Sequence, residues 1–445
     1  MNGGRATTPD DRLGRNYHRL FGAATISNLG DGVALVAYPW LASAITRNPV
    51  LIALVAVVQR LPWLLFALPA GVLTDRHDRR LLMVGANVAR SVITLFVAVA
   101  VISRGSDLPG PDELETVVST DVIMYVGVLV ATFLLGIGEV LYDNCAQTLM
   151  PSLVRPAQLE KANGRLWAAQ EIANQFTGPP LGSLLLAAGF AVPFLLDAGS
   201  FVVSAALLST IVLSPRPVEV VTRRSWRGEL VEGVRWLWQN DLLRTLAIVL
   251  GLLNGAASIT FSVYVLFAQE ILGASTGEFA AILMAGAAGA VIGGWTASSV
   301  SRRLGSGPSL AIALGGIAAI EMIIGLLSNV LAVAVLNLVA AFFAVLWNVI
   351  TVTLRQSIVP DHLLGRVNSV YRFFAWGMMP IGAIVGGLIV AVTERVADRE
   401  VALRLPWIIS GATMFGVVVY AAPRLTTRRL DAARASGPPP QPMAV

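Results

Sequence analysis

Apolar residues in this chain run in blocks of twenty or more, and short turns between the blocks hold most of the charge. A helix needs about 20 mostly apolar residues to cross bilayer hydrocarbon. Twelve runs meet that requirement, at 18–45, 49–74, 79–103, 121–148, 159–189, 192–213, 242–271, 277–301, 308–328, 330–356, 363–392 and 403–423. They are rich in Ala, Leu and Gly and show no alternation of period two, so the strands of a barrel do not fit. The pattern predicts an all-α, polytopic membrane protein with twelve transmembrane helices. The longest polar connection follows the sixth run and divides the helices into two pseudo-symmetric six-helix bundles.

Composition agrees. Hydrophobic residues make up 56% of the chain and charged residues 13%, whereas a soluble domain is about a quarter charged. The net charge of +5 does not mark a nucleic-acid binder, because the basic residues sit in turns between apolar runs rather than on one soluble face. One set of turns carries Arg76, Arg79, Arg80, Arg223, Arg224, Arg227, Arg302 and Arg303, while the opposite set is poorer in arginine and holds the acidic stretch at 104–121. Counting positive charge on each side predicts that both termini face the cytoplasm, which requires an even number of spans. Residues 1–16 are polar, so no cleavable signal peptide is expected. A single cysteine, Cys145, and three scattered histidines give no disulfide and no metal-ligand spacing. The absence of a phosphate-binding Gly-rich loop with Lys removes ATP as a driver. Neither a catalytic site, a metal nor a cofactor is expected.

The expected organisation is a cytoplasmic tail at 1–16, a bundle at 17–213, a linker at 214–241, a second bundle at 242–424 and a disordered tail at 425–445. Within the linker, Trp226, Leu230, Val234 and Leu237 recur at helical spacing, which suggests an amphipathic helix on the inner leaflet. Internal echoes support duplicated halves. Gly71 precedes Asp75, Arg79 and Arg80 at the same distances as Gly294 precedes Ser298, Arg302 and Arg303. Asn144, Pro151 and Asn163 are echoed by Asn348, Pro360 and Asn368. Gly178-Pro179-Pro180-Leu-Gly182 is echoed by Met379-Pro380-Ile-Gly382 with Gly386 and Gly387.

Charges inside spans are costly and usually face a cavity or a partner. Asp31 lies mid-span between Gly30 and Gly32, Arg60 lies in the second run and Arg90 in the third. Glu139 and Asp143 stand four residues apart in the fourth, on one helical face. Asp197 and Glu321 are acids of weaker promise, because the sequence shows neither their depth nor their facing. Proton coupling needs a desolvated carboxylate tuned by a nearby arginine. Asp31 with Arg60 or Arg90 fits that need, and Glu139 with Asp143 is the second candidate; a static ion network that braces the bundle is the competing reading. Gly178, Pro179, Pro180 and Gly182 predict a kink and close helix packing in the fifth run. Candidate substrate-cavity residues are Asn28, Tyr142, Trp167, Asn174, Asn254, Trp347, Asn348, Tyr371 and Trp376, with Tyr38, Trp40 and Tyr264 as further aromatics.

The turn Gly71-Val-Leu-Thr-Asp75-Arg76-His-Asp78-Arg79-Arg80 resembles the loop between the second and third helices of major facilitator superfamily transporters, roughly G-x-L-x-D-R-x-G-R-R/K. Asp78 stands where that pattern has its second glycine. The segment Gly178–Gly182 resembles the G-P-x-x-G-G element of that superfamily's antiporters, with Ser183 in place of the last glycine. Together with Asn28-Leu-Gly30-Asp31-Gly32 and Leu364-Gly365-Arg366-Val367-Asn368-Ser369, these motifs are similar to the bacterial drug and siderophore exporter branch. The resemblance implies a proton-driven antiporter in the bacterial cytoplasmic membrane. It would export small amphipathic molecules by alternating access, as a monomer whose partners are its small-molecule substrate, protons and the lipid bilayer. A dedicated exporter of a siderophore or other secreted metabolite is the alternative, and a sensor or scaffold that moves nothing is the third reading. Gly71, Asp75, Arg76, Arg79 and Arg80 would form a conformational latch. Asp75 would accept hydrogen bonds from a helix N-terminus of the other bundle, and the arginines would pair with acids or lipid phosphates.

Overall fold

The computed structural model describes residues 13–104, 109, 119–155, 158–212, 234–359 and 361–435, with the side chains at 67–68, 72, 75–76, 160, 356, 361–366, 368–369 and 372 left out. The described chain is helical throughout. Helices α1 (Arg15–Ile45), α2 (Pro49–Arg76), α3 (Arg79–Ser103), α4 (Val122–Leu153), α5 (Leu159–Glu171), α6 (Gly178–Ala187) and α7 (Ala191–Ser209) precede the linker. Helices α8 (Asp241–Phe261), α9 (Tyr264–Glu270), α10 (Thr276–Leu304), α11 (Ser306–Leu326), α12 (Val330–Ile358), α13 (Asp361–Thr393), α14 (Arg399–Ala421) and α15 (Thr427–Ala435) follow it. Polar residues at their starts cap them: Asp78, Asp121, Asn240 and Asn329 each accept from a backbone N–H one turn on, and Ser275 with Glu278 forms a reciprocal capping box.

Among the described residues, eleven helices are long and apolar enough to cross a membrane. Large apolar side chains stand exposed along them, among them Phe96, Ile123, Trp295, Leu331 and Val419. In water such a surface would aggregate; facing lipid tails, it needs no cover. The remaining expected run, 159–189, is helical but segmented. Between α5 and α6, Ile172–Thr177 forms a π-helical turn. Pro179 and Pro180 supply no N–H for the carbonyls of Gln175 and Phe176, and the wide turn stands where ordinary helical bonding would leave those carbonyls bare. The expected kink is therefore a π turn followed by a helix with proline in its first turn.

The chain forms two compact units, one of Met1–Thr46 and Leu61–Val218, the other of Arg47–Arg60 and Glu219–Val445. The expected first bundle ran unbroken over 17–213, but the start of α2 packs with the second unit. An ion network is one reason. Arg47 pairs with Glu270 and donates to Gln269, while Arg399 pairs with Glu270 and Glu394 and donates 3.1 Å to the Arg47 carbonyl. Inside the first unit α1 packs on α6 and α7, and α3 on α4 and α7; inside the second, α8 packs on α13 and α14, and α11 on α12 and α14. The same four neighbour relations thus occur in each unit. The glycine echo occupies equivalent places. A Cβ on Gly182 would lie 2.7 Å from the Val33 carbonyl oxygen of α1, and one on Gly382 would lie 2.8 Å from the Gly255 carbonyl carbon of α8. These glycines exist so that two helix backbones can touch.

Two expectations about polar segments change. The amphipathic linker helix falls mostly outside the described residues, Trp226 and Leu230 included; residues 234–239 are helical, with Leu237 buried in the core of the second unit and Trp238 stacked on Phe374. The tail expected to be disordered over 425–445 begins with α15. Leu430 is wholly buried in the same core, the Gly307 N–H donates 3.1 Å to Thr427 Oγ1, and Arg434 reaches Ser306. One apolar anchor and two polar clasps hold this polar helix; residues 436–445 lie outside the described part.

Gly182→Ala should destabilise the protein by about 1–3 kcal/mol, because the backbone it meets cannot yield as a side chain would. Gly85→Ala, where a Cβ meets nothing within 4 Å, should be neutral or slightly stabilising. Thermal unfolding in detergent checks the pair.

Candidate functional site

The first unit is organised around Arg90. Its guanidinium bonds Asp31 at 2.5 Å, lies 4.0 Å from the centre of the Phe201 ring, and leaves only 4% of the side chain exposed. It also interacts electrostatically with Glu139, Asp143 and Asp197. Four helices therefore contribute: α1 through Asp31, α3 through Arg90, α4 through Glu139 and Asp143, and α7 through Asp197. Small residues let them converge. Gly30 faces Asp197 and Ser200, and a Cβ on Gly32 would lie 2.5 Å from the Asn174 carbonyl of the π turn. A Cβ on Gly138 would press 2.7 Å from the Arg90 side-chain Cγ. Around the charges, Asn87 donates to Ser204 and Ser91 to the Ala198 carbonyl, both across the α3–α7 interface. Burying a charge without a partner costs several kcal/mol, so Arg90 and Asp31 hold each other in place.

The structure selects between the two arginines considered for Asp31. Arg90 pairs with it, while the Arg60 guanidinium stands 5.9 Å from the Trp376 ring centre in the second unit. Asp197, ranked below Asp31 from the sequence, is 2% exposed and its Oδ1 has no hydrogen-bond partner among the described residues. Its signal was weak because one acid in an apolar run shows neither depth nor facing. Asn28 folds back on the Ala24 carbonyl of its own helix. Tyr142 does not line open space; it is packed in a core cluster with Tyr17, Met83 and Leu149. Tyr38, Trp40 and Tyr264 are likewise buried in packing, Tyr264 edge-on to Trp407. Trp167 is at the other extreme, 65% exposed.

The basic turn behaves differently from the expectation that its arginines pair with acids or lipid. Arg79 donates to the Thr148 carbonyl near the end of α4, and Arg80 to the Ile211 carbonyl just beyond α7, each at 2.8 Å. The Ile211 carbonyl lies past the end of α7, where a carbonyl lacks an intrahelical donor and attracts a cation. Asp78 caps α3 by accepting from the Leu81 N–H, a role that glycine could not fill. Gly71 meets nothing within 4 Å. The side chains of Asp75 and Arg76 lie outside the described residues.

The second unit holds a cavity of about 300 Å³. Trp347, Asn348, Thr351 and Arg355 of α12 line one wall and Tyr371 of α13 another, so three of the expected cavity residues meet here. Leu246 and Leu250 of α8 and Val352 complete an apolar boundary. Arg355, not singled out from sequence, lies 4.5 Å from the Tyr371 ring centre. It sat too close to the end of its apolar run to be distinguished from an ordinary flanking arginine. Asn254 braces α8 to α13 through the Ala375 carbonyl.

Eleven membrane-length apolar helices among the described residues, a buried charge cluster in one half and a cavity in the other are the anatomy of a membrane transporter. The chain belongs to the Major Facilitator Superfamily, whose family model matches residues 20–383. It is 27% identical over 435 residues to the multidrug efflux pump Tap of Mycolicibacterium fortuitum, covering 93% of this chain and 96% of that one. It is 24% identical over 402 residues to the multidrug efflux pump Tap of Mycobacterium tuberculosis (strain ATCC 25618 / H37Rv), covering 87% and 90%. Among solved structures, a bacterial homologue of the iron transporter ferroportin matches with a TM-score of 0.72 at 15% identity, covering 95% of this chain and 99% of that one. A bacterial homologue of the human lysosomal transporter Spinster matches with a TM-score of 0.66 at 14% identity, covering 94% and 96%. At these identities the structural likeness shows the fold.

Arg90→Met should destabilise the protein by about 1–3 kcal/mol, since it leaves the partly buried Asp31 without its cation. The double variant Asp31→Leu, Arg90→Met should recover most of that loss. Cys145 is buried and is the sole cysteine, so its reaction with a thiol-reactive fluorophore on heating reports unfolding directly.

Proposed function

We propose that this protein exports small amphipathic molecules such as drugs across the bacterial cytoplasmic membrane, in exchange for protons entering the cell. The observation that carries the reading is the buried Arg90, paired with a partly exposed Asp31, with Glu139, Asp143 and Asp197 gathered around it. One guanidinium offsets one negative charge, so a set of four carboxyls about it in a poorly solvated setting has places for protons. A proton arriving at Asp31 releases Arg90, which then turns to another acid of the cluster. That rearrangement alters how α1, α3, α4 and α7 hold together, and it couples proton binding to a change of conformation. The names of the similar efflux pumps support a drug-like substrate.

The halves at 17–213 and 242–424 alternate access to a substrate path, with both termini in the cytoplasm and the monomer as the working unit. The turn at Gly71–Arg80 is the conformational latch, with Asp75 released from a helix N-terminus on switching. Arg79 and Arg80 hold its base to α4 and to the end of α7. The residues around Trp347 and Tyr371 supply part of the substrate surface.

In liposomes loaded with an exported fluorescent dye, an imposed pH gradient should accelerate efflux by the wild type. Asp31→Asn, folded by the Cys145 assay, should lose the gradient-driven component by at least about tenfold, as expected when a proton-transfer group is removed. Undiminished gradient-driven transport by that variant would overturn the assignment of Asp31. A gradient-insensitive wild type would overturn antiport itself.

A further inference from the structure

The cavity of the second unit has an unusual balance of hydrogen-bonding groups. Trp347 is 3% exposed, lines the cavity, and its indole N–H has no acceptor among the described residues. Arg355 lines the same cavity, and its buried Nε–H also has no acceptor among the described residues. Buried donors are rarely left without acceptors, and each instance calls for an explanation. Other lining hydroxyls do not answer them. Thr351 donates to the Trp347 carbonyl at 2.9 Å, and Tyr371 donates to the Leu243 carbonyl at 2.5 Å. No carboxylate lines the cavity among the described residues. The site therefore presents a fixed positive charge and two unanswered donors, set between an indole and a phenol ring.

We infer that this cavity receives the deprotonated oxygen group of a planar aromatic molecule, a carboxylate, phenolate or enolate, and that Arg355 selects for it. The volume of about 300 Å³ lies at the small end of the range for ligand sites. Edges of the nearly buried Trp347 and Tyr371 rings, with Leu246 and Leu250, give the cavity an aromatic and aliphatic lining. A neutral carbonyl would answer the donors, but only an anion also offsets the guanidinium, and charge-assisted bonds are roughly twice as strong as neutral ones. The inference names a substrate class within the efflux reading, so its test measures binding directly and does not depend on transport.

The probes are 2-naphthoate and its methyl ester, which share the planar body and differ in charge. Binding to the purified full chain in detergent is measured by calorimetry. The acid should bind wild type about 10- to 100-fold more tightly than the ester, the range expected for hydrogen bonds to a charged group. Arg355→Gln should bring that ratio close to one, and Arg355→Lys should keep part of it. Asn348→Asp, which adds a negative charge inside the cavity, should also erase the preference, and it decides the matter if Arg355→Gln fails to fold. Equal binding of the two probes by wild type, no binding of either, or a preference that survives in a folded Arg355→Gln or Asn348→Asp overturns the inference. A wild type that prefers the acid but moves no compound in liposomes sinks the efflux reading and leaves this one standing. Gradient-driven efflux without any preference does the reverse.

Discussion

Hydrocarbon can solvate neither a charge nor a bare peptide group, and the architecture follows from where this chain meets that constraint. Backbone groups are paired inside helices, most charges are kept to turns, and the apolar side chains that water would reject face outward. Among the charges held inside spans, Arg90 is the one that the first unit is built around. Its charge persists at any physiological pH, so α1 must bring Asp31 to it, α4 must present Gly138 to its stem, and α7 must supply the face of Phe201. The glycines that flank Asp31 are the backbone half of the same arrangement, because a larger residue would hold α7 and the π turn away.

The two units repeat one scheme of helix neighbours and fill it with different chemistry. Gly182 against Val33 in the first corresponds to Gly382 against Gly255 in the second, so backbone contact is kept in both. The polar content is not kept. The first unit concentrates carboxylates about one arginine, and the second places an arginine and an indole N–H around a small aromatic cavity. The two units thus keep one helix scheme while differing in the charge they bury.

At the basic turn, Arg79 and Arg80 are spent on carbonyls near the ends of α4 and α7, and Asp78 on capping α3. The turn is thus a rivet between elements of one unit as well as a charged marker of a membrane face. Its second copy keeps Arg302 and Arg303 but has Ser298 where the first has Asp75.

The sequence by itself determined the helices, because crossing hydrocarbon demands long apolar runs whose ends are marked by charge and caps; the run expected at 79–103 coincides with α3. It also determined the family, since the ordered turn around Asp75 and the segment around Pro179 survive as short linear patterns. Only the tertiary structure decided which charges meet. Asp31 had two possible arginines, and pairing with Arg90 depends on helix rotation, which an almost uniformly apolar run leaves unmarked. For the same reason Asp197 and Arg355 were not separable from incidental polar residues, and Tyr142 was not separable from a cavity aromatic. The fate of the tail turned on Leu430, a single apolar residue in a polar stretch whose weight comes from the core that receives it. Solvent preference is written residue by residue along the chain, whereas partnership belongs to a packed arrangement of several helices.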